Sequence, residues 1–279
     1  MRPLSELRSL AAGAAEAGAA VAREWRERDQ PLRTERKGHG DYVTAADRAA
    51  EDAVLSVLRS GAPEVAVVAE ESAATVAGGG LIWAVDPIDG TTNYLRGFPV
   101  VGVSVGLLED GRPLAGAVAW PFTGESWSAA RGLGAHDHRG RRLAVAGGDG
   151  RGVVATGFPF RRPENRARYL AAFEAVLADV EDLRRAGAAS LDLVYSATGA
   201  FDGFFELGLS LWDVAAGSIL VLEAGGVVTD WAGDAEAVYR SGDILAGSPA
   251  WHGRMLDLVR RAGAVRLESS IAVPGPEPG

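Results

Sequence analysis

The chain contains no cysteine, which rules out disulfides, thiolate zinc sites and cysteine nucleophiles. Long apolar runs are missing too. Leu4 to Trp25 is rich in alanine but broken by Glu6, Arg8, Glu16 and Arg23, so it has the core of neither a signal peptide nor a membrane span. There is no glycine-rich loop ending in Gly-Lys-Ser/Thr, and the serines and histidines show no pattern of a nucleophile elbow or triad. Positive charge is in deficit: 28 Lys and Arg against 37 Asp and Glu give a formal charge of −9. That balance argues against nucleic acid or an anionic membrane as a partner. What is present is 279 residues, 47% hydrophobic and 23% charged, the make-up of a soluble globular protein large enough for one sizeable domain or two modest ones. A cytoplasmic location fits. No internal repeat is visible.

Leu7, Leu10, Ala14, Val21 and Trp25 fall near helical spacing and predict an amphipathic first helix. Glu27 to Asp41, with Pro31, Gly38 and Gly40, reads as a mobile loop carrying Arg36 and Lys37. A second helix is predicted over Thr44 to Leu58 and a strand over Val65 to Val68, running into Glu70-Glu71-Ser72. Gly78-Gly79-Gly80 marks a flexible break. Leu81 to Val85 follows as a buried strand stopping at Asp86-Pro87. Val100 to Leu107 and Pro113 to Trp120 flank Glu109-Asp110-Gly111 as an antiparallel hairpin, and Trp127 to Leu143 reads as another strand pair.

The glycine-rich stretch from Ala146 to Gly152 separates an α+β portion, 1–145, from an α/β portion, 146–266. Residues 267–279 form a Pro- and Gly-rich tail expected to be disordered. In the second portion, helical patterns at Arg166 to Leu183, Ala188 to Thr198, Asp213 to Ala224 and Pro249 to Ala262 alternate with short strands. Ser248-Pro249 starts the last of these, a cap followed by proline at the first helical position.

The chemistry concentrates in Asp86-Pro87-Ile88-Asp89-Gly90-Thr91-Thr92-Asn93. Two carboxylates three residues apart end a strand, Gly90 lets the backbone approach a ligand, and the next residues offer hydroxyls, an amide and N–H groups. Hard oxygen ligands beside backbone donors suit a divalent cation holding a phosphate. Glu70 at a strand end and Asp213 in Leu-Trp-Asp-Val-Ala-Ala-Gly could join the same site. Each has a structural alternative: a surface acid for Glu70, a helix cap for Asp213. Asp47 closes Thr44-Ala45-Ala46-Asp47, which matches a capping box; the other reading is that it takes a proton from a threonine or a water. His136 and His138 read as a solvated hairpin. Arg161, Arg162, Arg184 and Arg185 either face solvent or offer one pair to a substrate phosphate or a partner chain.

The ordered blocks Asp41 to Asp47, Glu70-Glu71-Ser72, Trp83 to Tyr94, Gly97-Phe98-Pro99, Gly187-Ala188-Ala189, Phe204-Phe205-Glu206, Trp212 to Ala215 and Glu223 to Gly226 resemble the inositol monophosphatase family of magnesium-dependent, lithium-sensitive phosphatases. The resemblance runs from about residue 4 to 262. It implies an α/β fold, a layered αβαβα sandwich of the inositol monophosphatase and fructose-1,6-bisphosphatase type, and it implies roles. Glu70, Asp86 and the carbonyl of Ile88 would hold one Mg²⁺; Asp86, Asp89 and Asp213 would hold a second. Glu70 would share a looser third near Arg36 and Lys37. Thr91 paired with Asp47 would orient and deprotonate the attacking water, and the N–H groups of Gly90 and Thr91 would bind phosphate. Glu206, Asp89, Asp213 and the backbone of Gly187, Ala188 and Ala189 would meet the substrate.

Around Thr156 to Arg162 the chain departs from the animal enzymes and is similar to the bacterial branch. Thr92-Asn93 favours a substrate of the inositol-phosphate or fructose-bisphosphate kind over histidinol phosphate or a 3′-phosphoadenosine nucleotide. The expected substrate is a small phosphorylated polyol or sugar, foremost myo-inositol monophosphate, and the expected assembly a homodimer. The alternative class is a regulatory binding module that keeps this fold but acts through a protein or RNA partner.

Overall fold

The computed structural model describes residues 2–28, 34–38, 41–72 and 80–264. The expected tail and Gly78-Gly79 lie outside them. Helices α1 (Leu4–Glu27) and α2 (Ala45–Gly61) pack together. The buried face of α1 is built from small residues, Ala11, Ala14, Ala15, Gly18 and Ala22. A Cβ added at Gly18 would lie 2.7 Å from the Val54 side chain of α2, so the small residue lets the helices approach closely. Between the two helices the expected loop is in part a hairpin. Strand β1 (Thr34–Gly38) pairs antiparallel with β2 (Asp41–Thr44), so the backbone of Arg36 and Lys37 is extended. Thr34, Tyr42, Val43 and Thr44 favour strand strongly enough to override the neighbouring glycines.

A six-stranded sheet follows, in the order β3 (Ala66–Ala69), β4 (Leu81–Asp89), β5 (Gly102–Glu109), β6 (Arg112–Trp120), β7 (Glu125–Ala130) and β8 (Ala135–Asp137). β3 runs parallel to β4 and the remainder is an antiparallel meander. Short α3 (Thr91–Arg96) lies between β4 and β5. A second sheet of five strands is ordered β10 (Asp182–Arg184), β9 (Val153–Thr156), β11 (Gly203–Glu206), β13 (Ile244–Gly247), β12 (Val227–Thr229). Its β9, β10 and β11 are parallel, while β13 is antiparallel to both its neighbours. The helical pattern expected to reach Leu183 ends earlier: α4 (Arg166–Leu177) gives way to β10, because Leu183 pairs with Val154 of β9.

Helices α5 (Ala189–Ala197) and α6 (Leu211–Glu223) fill the space between the sheets, and α4 and α8 (Pro249–Arg261) cover the far side of the second. A one-turn α7 (Val238–Ser241) precedes β13. The layers are therefore helix, sheet, helix, sheet, helix, as expected. This explains why β5 and β6 are almost wholly buried: helices cover both their faces, so their sequences read as apolar runs. Helix α6 approaches the first sheet closely. A Cβ added at Gly106 of β5 would lie 2.6 Å from the Ala215 side chain, and one at Gly116 of β6 would lie 2.9 Å from Ala216 Cα. Glycine opposite alanine lets α6 lie flat on the sheet and carries its N-terminus to the end of β4.

Candidate active site

β4 does not stop at Asp86. It continues to Asp89 through an irregularity in which Asp86 pairs with Ser104 and Asp89 with Gly102. Three steps on β4 face two on β5, so one extra residue is inserted. In a regular strand residues 86 and 89 would point to opposite faces; the bulge resets the alternation. Both carboxylates now lie with that of Asp213, their ligand atoms within 4.8 Å of one another. Glu70 directly follows β3, where its N–H donates to the carbonyl of Val85 at 3.1 Å, and its carboxyl is hydrogen-bonded to that of Asp86.

Four helix N-termini meet around this cluster. Asp213 is in the first turn of α6 and accepts from the Ser210 N–H at 2.7 Å. Asp89 accepts through Oδ2 from the N–H and hydroxyl of Ser190, in the first turn of α5, at 2.7 and 2.6 Å. Thr91 opens α3 directly after Gly90, whose φ of +90° is left-handed and whose missing Cβ leaves room for the Gly187 and Val100 carbonyls. Asp47 is in the first turn of α2. Its Oδ2 accepts from both the N–H and the hydroxyl of Thr44, while its Oδ1 accepts from the Thr91 hydroxyl at 3.3 Å. The same Thr91 hydroxyl reaches the Ile88 carbonyl at 3.1 Å. The two expected roles of Asp47, cap and partner of Thr91, are thus divided between its two oxygens. Helix N-termini carry partial positive charge, so their convergence favours carboxylates and phosphate here.

Electrostatics matches that geometry. Burial, then repulsion from Glu70, Asp89 and Asp213, holds the Asp86 carboxyl well above the usual range. Burial and Asp213 push Asp89 up to about 7 against the opposing Ser190 hydrogen bonds. Asp47 rises to about 6, chiefly through burial. An all-oxygen cluster whose negative charges repel one another at close range fits a hard divalent cation.

The same shifts set a stability trend. A raised folded value means the folded carboxyl binds its proton more tightly than the unfolded one does. For Asp89 the folded chain therefore keeps, between about pH 4 and about 7, a proton that the unfolded chain has released. Stability of the metal-free protein should fall as pH rises through that window. Asp47, Asp86, Asp192 and Glu206 act in the same direction. Buried His252, pushed below its ordinary value, acts oppositely as a single group. Melting in EDTA at pH 5.5 and pH 8 checks this: the expected result is a lower Tm at pH 8, with Mg²⁺ restoring more there than at pH 5.5. A metal-free Tm that climbs over the interval would contradict it.

On the substrate side, Gly187 to Ala189 line the turn at Gly90. The Asn93 amide donates to the carbonyls of Val100, Ala186 and Gly187 at 2.8, 2.9 and 3.4 Å, tying α3 to that segment. Glu206 ends β11, its carboxylate filling the space a side chain at Gly157 would take. Burial raises it to about 8 although Arg185 opposes. Of the four arginines, Arg184 pairs with Asp182 and Arg185 stacks over Phe158 and Phe160.

Three functional candidates escaped the sequence reading. Ser190 was hidden because a serine after Gly-Ala-Ala signals only a helix start. Glu51 of α2 accepts from the Glu71 N–H at 3.0 Å and so braces the Glu70 turn; its helical spacing alone gave no sign of this. Asp192 is 1% exposed, with one carboxyl oxygen unpartnered. The expected lack of an elbow pattern needs one correction: Gly102-Val103-Ser104-Val105-Gly106 does carry the letters of a nucleophile elbow. It runs within β5, and buried Ser104 donates to the Trp212 carbonyl at 2.9 Å. The residue is a brace to α6, without the strand-to-helix turn an elbow needs.

Comparison with known proteins gives a consistent result. The model of the inositol monophosphatase family matches residues 4–264. The chain is 38% identical over 246 residues to the Nus factor SuhB of Vibrio cholerae, spanning 85% of this chain and 89% of that protein. It is 38% identical over 258 residues to an inositol-1-monophosphatase of Mesorhizobium japonicum, spanning 91% and 95%. The solved structure of an Anabaena inositol monophosphatase superposes with a TM-score of 0.82 at 35% identity, covering 92% of this chain and 96% of that one. A relative named a Nus factor leaves the expected absence of a nucleic-acid partner without support. The chain belongs to the inositol monophosphatase family of phosphoric monoester hydrolases.

Proposed function

We propose that the protein hydrolyses a small polyol or sugar phosphate monoester, foremost myo-inositol monophosphate, with Mg²⁺ as cofactor. The observation that carries this reading is the convergence of Asp86, Asp89 and Asp213 beside the Thr91–Asp47 pair. Glu70, Asp86 and the Ile88 carbonyl would hold one ion, and Asp86, Asp89 and Asp213 another. Mg²⁺ supplies charge neutralisation on the phosphoryl oxygens and a lowered pKa for water. The remaining work belongs to the chain. The N–H groups of Gly90 and Thr91 hold phosphate oxygens at the start of α3. The Thr91 hydroxyl orients the attacking water, and Oδ1 of Asp47, at a carboxyl poised near 6, accepts the proton passed through it. Glu206 accepts hydrogen bonds from the substrate's hydroxyls. Lithium sensitivity, a homodimer and a cytoplasmic location belong to the same proposal.

Phosphate release from inositol 1-phosphate, fructose 1,6-bisphosphate, histidinol phosphate, 3′-phosphoadenosine 5′-phosphate and NADP⁺, with and without Mg²⁺, tests it. The expected result is Mg²⁺-dependent turnover led by inositol 1-phosphate. A different leader would reassign the substrate within the family. Silence from folded, Mg²⁺-binding protein would favour the second reading, a regulatory module with a protein or RNA partner, which rests on the similarity to a protein named a Nus factor.

A further inference from the structure

Ser190 is fully buried at the start of α5 and lies 101 positions from Asp89 in the chain. Two of its groups, N–H and hydroxyl, converge on one oxygen of that carboxylate, Oδ2, at 2.7 and 2.6 Å. Short hydrogen bonds to a carboxylate are among the strong ones, and two on the same oxygen fix the plane of the group. Oδ1 is then the oxygen left for the cluster with Asp86 and Asp213. The hydroxyl has its own keeper on the neighbouring strand. A Cβ built at Gly102 of β5 would stand 2.3 Å from Ser190 Oγ, whereas the next neighbours, Leu191 and the Ser190 Cβ, are at 3.5 and 3.6 Å, ordinary contact distances. The hydroxyl therefore occupies space that only glycine at 102 leaves open.

We infer that Ser190 is a positioning residue of the metal site: its hydroxyl pins Oδ2 of Asp89 so that the carboxylate presents Oδ1 alone to the cation, and Gly102 keeps the room in which that hydroxyl stands. The inference rests on the proposed ligand role of Asp89. Mg²⁺ requires near-octahedral oxygen ligands at about 2.0–2.1 Å, so a carboxylate free to swing is a poorer ligand than one held in a single orientation. Partners behind metal ligands commonly govern affinity by about 10- to 100-fold. The N–H groups of Ser190 and Ala189 still hold the carboxylate when the hydroxyl is lost, which places the expected effect at the low end of that range.

The test is Mg²⁺ binding by titration calorimetry and by the Mg²⁺-induced rise in Tm, alongside activity against Mg²⁺ concentration. Ser190→Ala should raise the Kd for Mg²⁺ by about tenfold while the metal-free Tm stays near that of the wild type. Activity lost at low Mg²⁺ should return at higher Mg²⁺. Gly102→Ala should weaken Mg²⁺ binding in the same direction by displacing the hydroxyl. In the Ser190→Ala background the same Gly102→Ala change should add nothing further, since no Oγ remains to be displaced; independent effects would simply add. Wild-type Mg²⁺ affinity in Ser190→Ala, or an equal Gly102→Ala loss in both backgrounds, overturns the inference. A wild-type protein that binds no Mg²⁺ overturns the ligand role of Asp89 and the inference with it.

Discussion

Asp89→Asn is expected to abolish phosphate release, by on the order of a thousandfold or more, in protein that folds as the wild type does. The substitution is isosteric, and the amide oxygen can still accept from the N–H and hydroxyl of Ser190. The packing tie between β4 and α5 therefore survives. What disappears is one negative charge of the three within 4.8 Å. A cation in such a cluster contributes several kcal/mol of transition-state charge stabilisation, and about 1.4 kcal/mol is a decade in rate. The same change relieves repulsion, because Asp89 and Asp213 each help raise the Asp86 carboxyl. In EDTA at pH 8 the variant should melt at or above the wild type, and its Tm should rise less with Mg²⁺ than that of the wild type, since the carboxylates of Glu70, Asp86 and Asp213 remain. Retained turnover would remove Asp89 from the metal site. A metal-free Tm well below the wild type would instead make its hold on α5 the dominant role.

The second large effect lies in the Thr91–Asp47 pair. Thr91→Ala and Asp47→Asn should each lower kcat by about 10²- to 10⁴-fold with little change in KM, because neither group is assigned to holding the substrate's polyol. The two losses should not add. One hydroxyl passes a proton to one carboxylate, so removing either breaks the same relay, and the double variant should fall little below the weaker single. Stability separates the two functions of Asp47. Its Oδ2 caps α2 through the N–H and hydroxyl of Thr44, and an asparagine amide oxygen can keep the N–H bond. Asp47→Ala loses its half of the capping box as well and should cost about 0.5–1.5 kcal/mol, the net worth of a lost hydrogen bond. Urea unfolding of the three variants, set beside their kcat values, checks the division. Additive kcat losses would break the relay.

Much of the site was legible along the chain because its parts are local. Asp86, Asp89, Gly90 and Thr91 fall within one strand-to-helix turn, and Thr44 to Asp47 within one capping box; such chemistry is fixed by a few bonds. Helix cores were equally plain at α1, α2, α5, α6 and α8, where apolar spacing and the Ser248-Pro249 start agree with the observed elements. The extended backbone at Arg36 and Lys37, the early end of α4 and the continuation of β4 past Pro87 were not legible. Each depends on a strand partner: β2, β9 and β5 respectively. Hydrogen-bonded pairing with a distant segment leaves little trace in local composition.

The sequence by itself determined which oxygen-bearing groups the protein has and which of them follow one another, and so the class of chemistry. Only the tertiary structure decided that they form one site. The bulge between Asp86 and Asp89 turned both to one side of the sheet. The glycines at 106 and 116 let α6 lie close enough to deliver Asp213. The start of α5 brought the two Ser190 donors to Asp89, and Asp47 could serve both α2 and Thr91 because its two oxygens face different neighbours. Residue type is a local property carried by each side chain, whereas the distance between side chains far apart in the chain is set by how sheets and helices pack. Close packing leaves few ways to satisfy both.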